Sequence, residues 1–163
     1  MNYCAIILAA GKGHRYLKTI PKQYTVLDNE LIINRSLKIF SEINSIKKII
    51  LVVNKPDFNK FKTQIFTNKK IEIIQGGEER KNSVFLGLNK LNNSNYKKII
   101  IHDAARPFLK KELIKKIIKT SKKHDAVIPC ISNTDTIVYK NKILDRKKVL
   151  SIQTPQCLSL IHI

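Results

Sequence analysis

Three short strings hold most of the residues that could do chemistry. The first is Leu8-Ala9-Ala10-Gly11-Lys12-Gly13-His14-Arg15, followed by Pro21-Lys22-Gln23-Tyr24. Small residues and two glycines let a backbone approach a ligand closely and offer N–H donors to phosphate oxygens. Lys12, Arg15 and Lys22 add three cations, for which a polyphosphate is a natural counter-ion. Neither G-x-G-x-x-G nor G-x-x-x-x-G-K-[ST] is present. The plain alternative is an ordinary glycine-rich strand-to-helix turn.

The second string is Gln75-Gly76-Gly77-Glu78-Glu79-Arg80-Lys81-Asn82-Ser83, opening a helix. Gly76 and Gly77 permit close approach. Ser83 and the free N–H groups of a first helical turn could bind a base or sugar edge. A capping turn with Glu78 or Glu79 explains the same residues. The third is His102-Asp103-Ala104-Ala105-Arg106-Pro107. An aspartate at the carboxyl end of a buried strand is disfavoured unless paired or metal-bound. Mg²⁺ takes one or two carboxylates plus phosphate oxygens and water, and Arg106 could grip a phosphate bidentately. An Asp103–Arg106 ion pair is the structural alternative.

The elements that must position these strings follow from apolar periodicity. Strands are predicted at 3–8, 48–53, 71–75, 98–102 and 126–131. Helices are predicted at 31–40, 57–66, 82–91 and 110–121, with Pro56 able to start the second. The strands are continuous apolar runs, which implies burial on both faces and a mostly parallel sheet between helices. The expected fold class is α/β: an open, mostly parallel, doubly wound sheet, in which ligands bind beyond the carboxyl ends of strands. All three strings follow predicted strands. Residues 136–149 depart from this pattern and read as a projecting hairpin arm turning at Asn141, on a single domain spanning 1–163.

Composition bounds the rest. The 163 residues carry 31 Lys+Arg against 12 Asp+Glu, a net charge of +19. Twenty-six of the basic residues are lysines, many of them in scattered pairs, and Ile, Lys and Asn make up 67 residues. That pattern reads as compositional bias, whereas nucleic-acid surfaces cluster arginine with aromatic stacking partners. No apolar run approaches the roughly 20 residues of a membrane span. No signal peptide is read at the N-terminus. Cys4, Cys130 and Cys157 show no C-x-x-C spacing. Cys4 and Cys130 lie in apolar runs and are expected to behave as small hydrophobes. A reducing, cytoplasmic setting is expected, with no nucleic-acid or membrane partner.

The ordered set of strings, with Asp135-Thr136, Asp145-Arg146 and Thr154-Pro155-Gln156, resembles the 2-C-methyl-D-erythritol 4-phosphate cytidylyltransferases. The resemblance covers about residues 3–156. It implies a Rossmann-like nucleotidyltransferase fold and a Mg²⁺-dependent condensation of CTP with methylerythritol phosphate, releasing pyrophosphate. It implies that Arg15 and Lys22 are catalytic and stabilise the transition state. It places Gly11, Lys12 and Gly13 around the triphosphate, and Ala9, Ala10, Gly77, Glu78 and Ser83 around cytidine, with Ala104 near the ribose. Asp103 is placed beside Mg²⁺ and substrate, and Arg106, Thr136 and Arg146 on methylerythritol phosphate. Thr136 and Arg146 would reach a partner's site, implying a homodimer through the arm.

Two departures stand out. Position 78 is Glu where many relatives have Asp. The chain ends shortly after Gln156, where family members continue with further elements that carry an Asp and a Lys of the site. A truncated frame or fragment is therefore expected, with a fused downstream enzyme domain as a further option; His162 has no motif partner. A ribitol-5-phosphate cytidylyltransferase and a non-catalytic basic nucleic-acid-binding module are the alternatives.

Overall fold

The computed structural model describes residues 1–11, 20–91 and 94–160. The chain opens with β1 (Tyr3–Ala9), a small hairpin of β2 (Val26–Leu27) and β3 (Glu30–Leu31), and α1 (Ile32–Ser41). Next come β4 (Ile46–Val53), α2 (Lys55–Phe61), β5 (Ile71–Gln75), α3 (Arg80–Asn89), β6 (Lys98–Asp103) and α4 (Lys111–Ser121). The last part is all strand: β7 (Ala126–Val127), β8 (Cys130–Ser132), β9 (Ile137–Tyr139), β10 (Lys142–Leu144), β11 (Leu150–Ile152) and β12 (Gln156–Ser159).

A six-stranded sheet in the order β5-β4-β1-β6-β12-β7 forms the centre. β5, β4, β1 and β6 pair in parallel, and β12 runs antiparallel to both its neighbours. Alternation along β1 feeds two cores. Tyr3, Ala5, Ile7 and Ala9 pack with Leu37 and Phe40 of α1, Phe58 of α2, and Ile114 and Ile117 of α4. Cys4 and Ile6 pack on the other face, which Val84 and Leu88 of α3 cover. Each fully buried aliphatic side chain contributes about 1.5–3 kcal/mol. α3 lies close because residue 87 is glycine: a Cβ there would stand 2.9 Å from Ile6 Cγ2. The sheet grows outward from β1 first through β4 and β5, then through β6. The topological switch therefore lies between the carboxyl ends of β1 and β6.

Several predicted ends shift by one or two residues, α3 running Arg80–Asn89 against 82–91 and β4 Ile46–Val53 against 48–53, and four larger departures stand out. The strand predicted over 126–131 is two strands, β7 and β8, because it is interrupted at Ile128-Pro129 and proline cannot donate to a ladder. β7 stays in the central sheet while β8 pairs with β11. Cys130 is consequently exposed, unlike the buried Cys4. The helix predicted over 57–66 begins at Lys55, with Pro56 in its first turn and the Asn54 side chain accepting from Asp57 N. It ends at Phe61 and tightens into a 3₁₀ turn, Lys62–Gln64. The arm predicted over 136–149 is longer. β8 and β11 form its stem, and β9 and β10 its tip. The tip turns at Lys140 and Asn141, both at positive φ, as a type I′ two-residue hairpin requires.

Candidate active site

A cleft of about 650 Å³ opens at the switch point. Its first wall is the end of β1 and the segment after it. Ala10, Gly11, Lys22 and Gln23 line the cleft. Gln23 and Tyr24 are buried while Lys22 is exposed. The Gln23 side-chain amide donates to Ala9 O at 2.8 Å and to Gly11 O at 2.9 Å. The Tyr24 ring stacks on Phe61, with centroids 5.1 Å apart. One turn thus carries two anchors that fix the strand end and leave its lysine at the cleft. Among the described residues nothing lies within 4 Å of a Cβ built at Gly11.

The second wall follows β5. Gly76 N donates to Val53 O at 2.8 Å. A Cβ at Gly76 would stand 2.4 Å from Ala10 Cβ and 2.9 Å from Ser83 Oγ. The close approach that glycine permits here is therefore between the two walls of the protein. Ser83 is buried, and its hydroxyl accepts from Gly77 N at 3.2 Å.

The floor is the end of β6. Both carboxylate oxygens of Asp103 are engaged: Arg80 Nε donates to Oδ1 at 3.1 Å and Arg106 Nε to Oδ2 at 3.4 Å. The expected Asp103–Arg106 pair is present, with a second arginine opposite it. Arg106 also donates through Nη1 to Gln153 Oε1. Asp103 N donates to Thr154 Oγ1 at 3.3 Å, and that hydroxyl meets His102 Nδ1 at 3.0 Å. Burial pushes the His102 imidazole down to about 4, against an upward pull from Asp103. Its Nε2 has no hydrogen-bond partner among the described residues.

The cleft therefore brings together Ala10, Gly11, Lys22, Gly77, Glu78, Ser83, Asp103 and Arg106 from the sequence reading. Ala9 and Ala104 do not line it. Ala9 turns its side chain into the α1 face of the core, and its carbonyl is taken by Gln23. Ala104 is fully buried in the same core, with its N donating to Leu8 O, and Ala105 lines the cleft in its place. Thr136 and Arg146 lie exposed on the arm, away from the cleft lining; Arg146 Nη1 donates to Thr134 O at 2.9 Å. Lys12, Gly13, Arg15 and His162 lie outside the described residues.

Sequence reasoning assigns no role to Arg80, Gln23, Gln153 or Thr154. Gln23 lies beside Lys22 in the quoted Pro21-Lys22-Gln23-Tyr24 string. Arg80 and Thr154 stand in strings already quoted, but they and Gln153 act through partners 23, 51 and 47 positions away, which no local pattern reports.

Comparison with known proteins agrees with this geometry. The family model described as 2-C-methyl-D-erythritol 4-phosphate cytidylyltransferase matches residues 3–163. The chain is 38% identical to the bifunctional enzyme IspD/IspF of Pelagibacter ubique, over 98% of this chain and 43% of that protein. It therefore spans less than half of that relative. It is 36% identical to a 2-C-methyl-D-erythritol 4-phosphate cytidylyltransferase of Clostridium perfringens, over 94% of this chain and 71% of that one. The crystal structure of 4-diphosphocytidyl-2C-methyl-D-erythritol synthase from Anaerococcus prevotii superposes with a TM-score of 0.83 at 28% identity, covering 99% of this chain and 72% of that one. With its cleft at the β1/β6 switch and a family match that runs almost end to end, the chain belongs to the 2-C-methyl-D-erythritol 4-phosphate cytidylyltransferase family.

Proposed function

We propose that the cleft binds CTP and transfers its cytidylyl group to the phosphate of 2-C-methyl-D-erythritol 4-phosphate, a step of isoprenoid precursor synthesis. A phosphate oxygen of the sugar phosphate attacks the α-phosphorus in line. The bond from that phosphorus to the bridging oxygen breaks, and pyrophosphate leaves. The observation that carries this reading is the meeting of the Gly11 wall, Lys22 and the arginine-flanked Asp103 in one cleft. Little covalent work falls to the protein; positioning and charge stabilisation supply the rate. Lys22 neutralises charge on the α-phosphate and the leaving group, with Arg15 in the same role. Gly11, Lys12 and Gly13 wrap the triphosphate, and Gly77 and Glu78 face the base.

The donors suit a magnesium ion held chiefly by substrate. Asp103 supplies one carboxylate, and no group of three or more His, Cys, Asp or Glu stands ready among the described residues. Phosphate oxygens and water would complete the coordination. Bound there, the ion would neutralise triphosphate charge. Thr136 and Arg146 would serve the neighbouring subunit's cleft in a homodimer. The charged substrates and three free cysteines support a cytoplasmic setting, and among the described residues no helix is long and apolar enough to cross a membrane. A fused downstream domain, as in the bifunctional relative, is a further expectation.

The test is pyrophosphate release from CTP, with and without Mg²⁺ and methylerythritol phosphate. Lys22→Ala should lower the rate about a hundredfold, the usual scale for removing one transition-state donor. Equal turnover with ribitol 5-phosphate would move the substrate assignment. No release with either sugar phosphate would remove the reading for this chain.

A further inference from the structure

The two arginines on Asp103 are not equivalent. Arg106 uses Nε on Asp103 and Nη1 on Gln153, so part of its fork is already committed to protein. Arg80 uses only Nε, on Asp103 Oδ1, and its two Nη groups make no hydrogen bond among the described residues. Its side chain is 51% exposed and lines the cleft. Arg80 is also the first residue of α3, in the same stretch as Gly77, Glu78 and Ser83. A guanidinium has five donors in a fixed plane, so one edge can hold a carboxylate while the outer fork holds a phosphate.

We infer that Arg80 is a phosphate-binding residue of the nucleotide subsite, held in register by Asp103 and presenting its Nη fork to the phosphate tail of CTP. This rests on the cytidylyltransferase reading and extends it to a residue that reading left without a role. Asp103 then acts twice, because one of its oxygens also holds a cation that grips the nucleotide. Arg80 and Lys22 stand on the two walls, so the tail is held from both sides. The half-exposed position keeps the ordering cost of the side chain low, because Asp103 already restrains it.

Isothermal titration of the full chain with CTP and with inorganic pyrophosphate tests this, alongside cytidine binding followed by NMR shifts. Arg80→Met should weaken both phosphate ligands about tenfold, the lower end for charge-assisted hydrogen bonds, and leave cytidine unchanged. Arg80→Lys should recover part of the pyrophosphate affinity, since it restores the charge without the fork. Unchanged affinity for CTP and pyrophosphate in Arg80→Met would overturn the inference and leave the cytidylyltransferase reading standing. An equal loss for cytidine and CTP would also overturn it, and would show that Arg80 merely shapes the wall through Asp103. If the unaltered chain bound neither CTP nor pyrophosphate, the nucleotide reading would fall first and this assignment with it.

Discussion

Asp103 takes one guanidinium on each oxygen and receives its backbone restraint from Thr154. Beneath it, His102 is buried and neutral at ordinary pH. Its folded value of about 4 lies below the ordinary 6.5 of the unfolded chain. The unfolded state therefore binds the extra proton between those values. The stability contribution is whole above pH 6.5 and declines as pH falls toward 4, with a slope approaching about 1.4 kcal/mol per pH unit. Glu42 and Glu72 are both lowered from 4.5 by their lysine partners, so their losses begin only at lower pH. Urea unfolding at about pH 7 and about pH 5 should show the decline. His102→Gln, which keeps a polar partner for Thr154, should flatten it. An unchanged slope in that variant would mean the proton is taken up elsewhere.

At the scale of elements, the cleft depends on two loops meeting. Gly76 is the contact point, since any larger residue places a Cβ 2.4 Å from Ala10 Cβ. Neither neighbour yields easily. Ala10 directly follows β1, and Ser83, in the first turn of α3, is tied to Gly77. Gly76→Ala should lower stability by about 1–3 kcal/mol, the usual range for overpacking, and weaken CTP binding by spreading the walls. Denaturant unfolding and CTP titration on the same variant check both effects. A variant that kept its stability and its CTP affinity would show that the walls tolerate separation.

At the scale of the whole molecule, the arm gathers several exposed apolar side chains in one place. Ile143 is 77% exposed, and Val138, Tyr139, Leu150 and Ile152 are each more than half exposed. Such a surface on a lysine-rich protein calls for a cover. The homodimer proposed above would supply that cover and carry Thr136 and Arg146 to a neighbouring cleft. Light scattering after gel filtration should give twice the 18.8 kDa chain mass. Ile143→Asp should shift it toward the monomer, because a charge buried in an apolar interface is strongly disfavoured. A monomeric unaltered chain would leave the arm without its proposed role.

Much of the element pattern was legible in the sequence, because the relevant forces are local. The span of β5 and the β–α alternation follow from runs and periods of Ile, Val and Leu. The arm's turn follows from Asn141 within a short polar step between apolar residues. The three chemistry-bearing strings, and the family they point to, follow from residue type and order along the chain. What the sequence left open depends on neighbours chosen in space. The apolar run at 126–131 splits because Pro129 falls where the chain leaves the sheet. The short β12 inserts between β6 and β7, a pairing no local period reports. Ala9 and Ala104 are small residues at strand ends that could face a ligand or the core; only the stacking of helices decides for the core. Arg80 is one more cation in a basic chain until β6 is set beside β1, and α3 across it, bringing its Nε to Asp103. Local chemistry names the residues. Long-range packing decides which of them share a cleft, because burial and charge pairing are settled only when distant segments exclude water together.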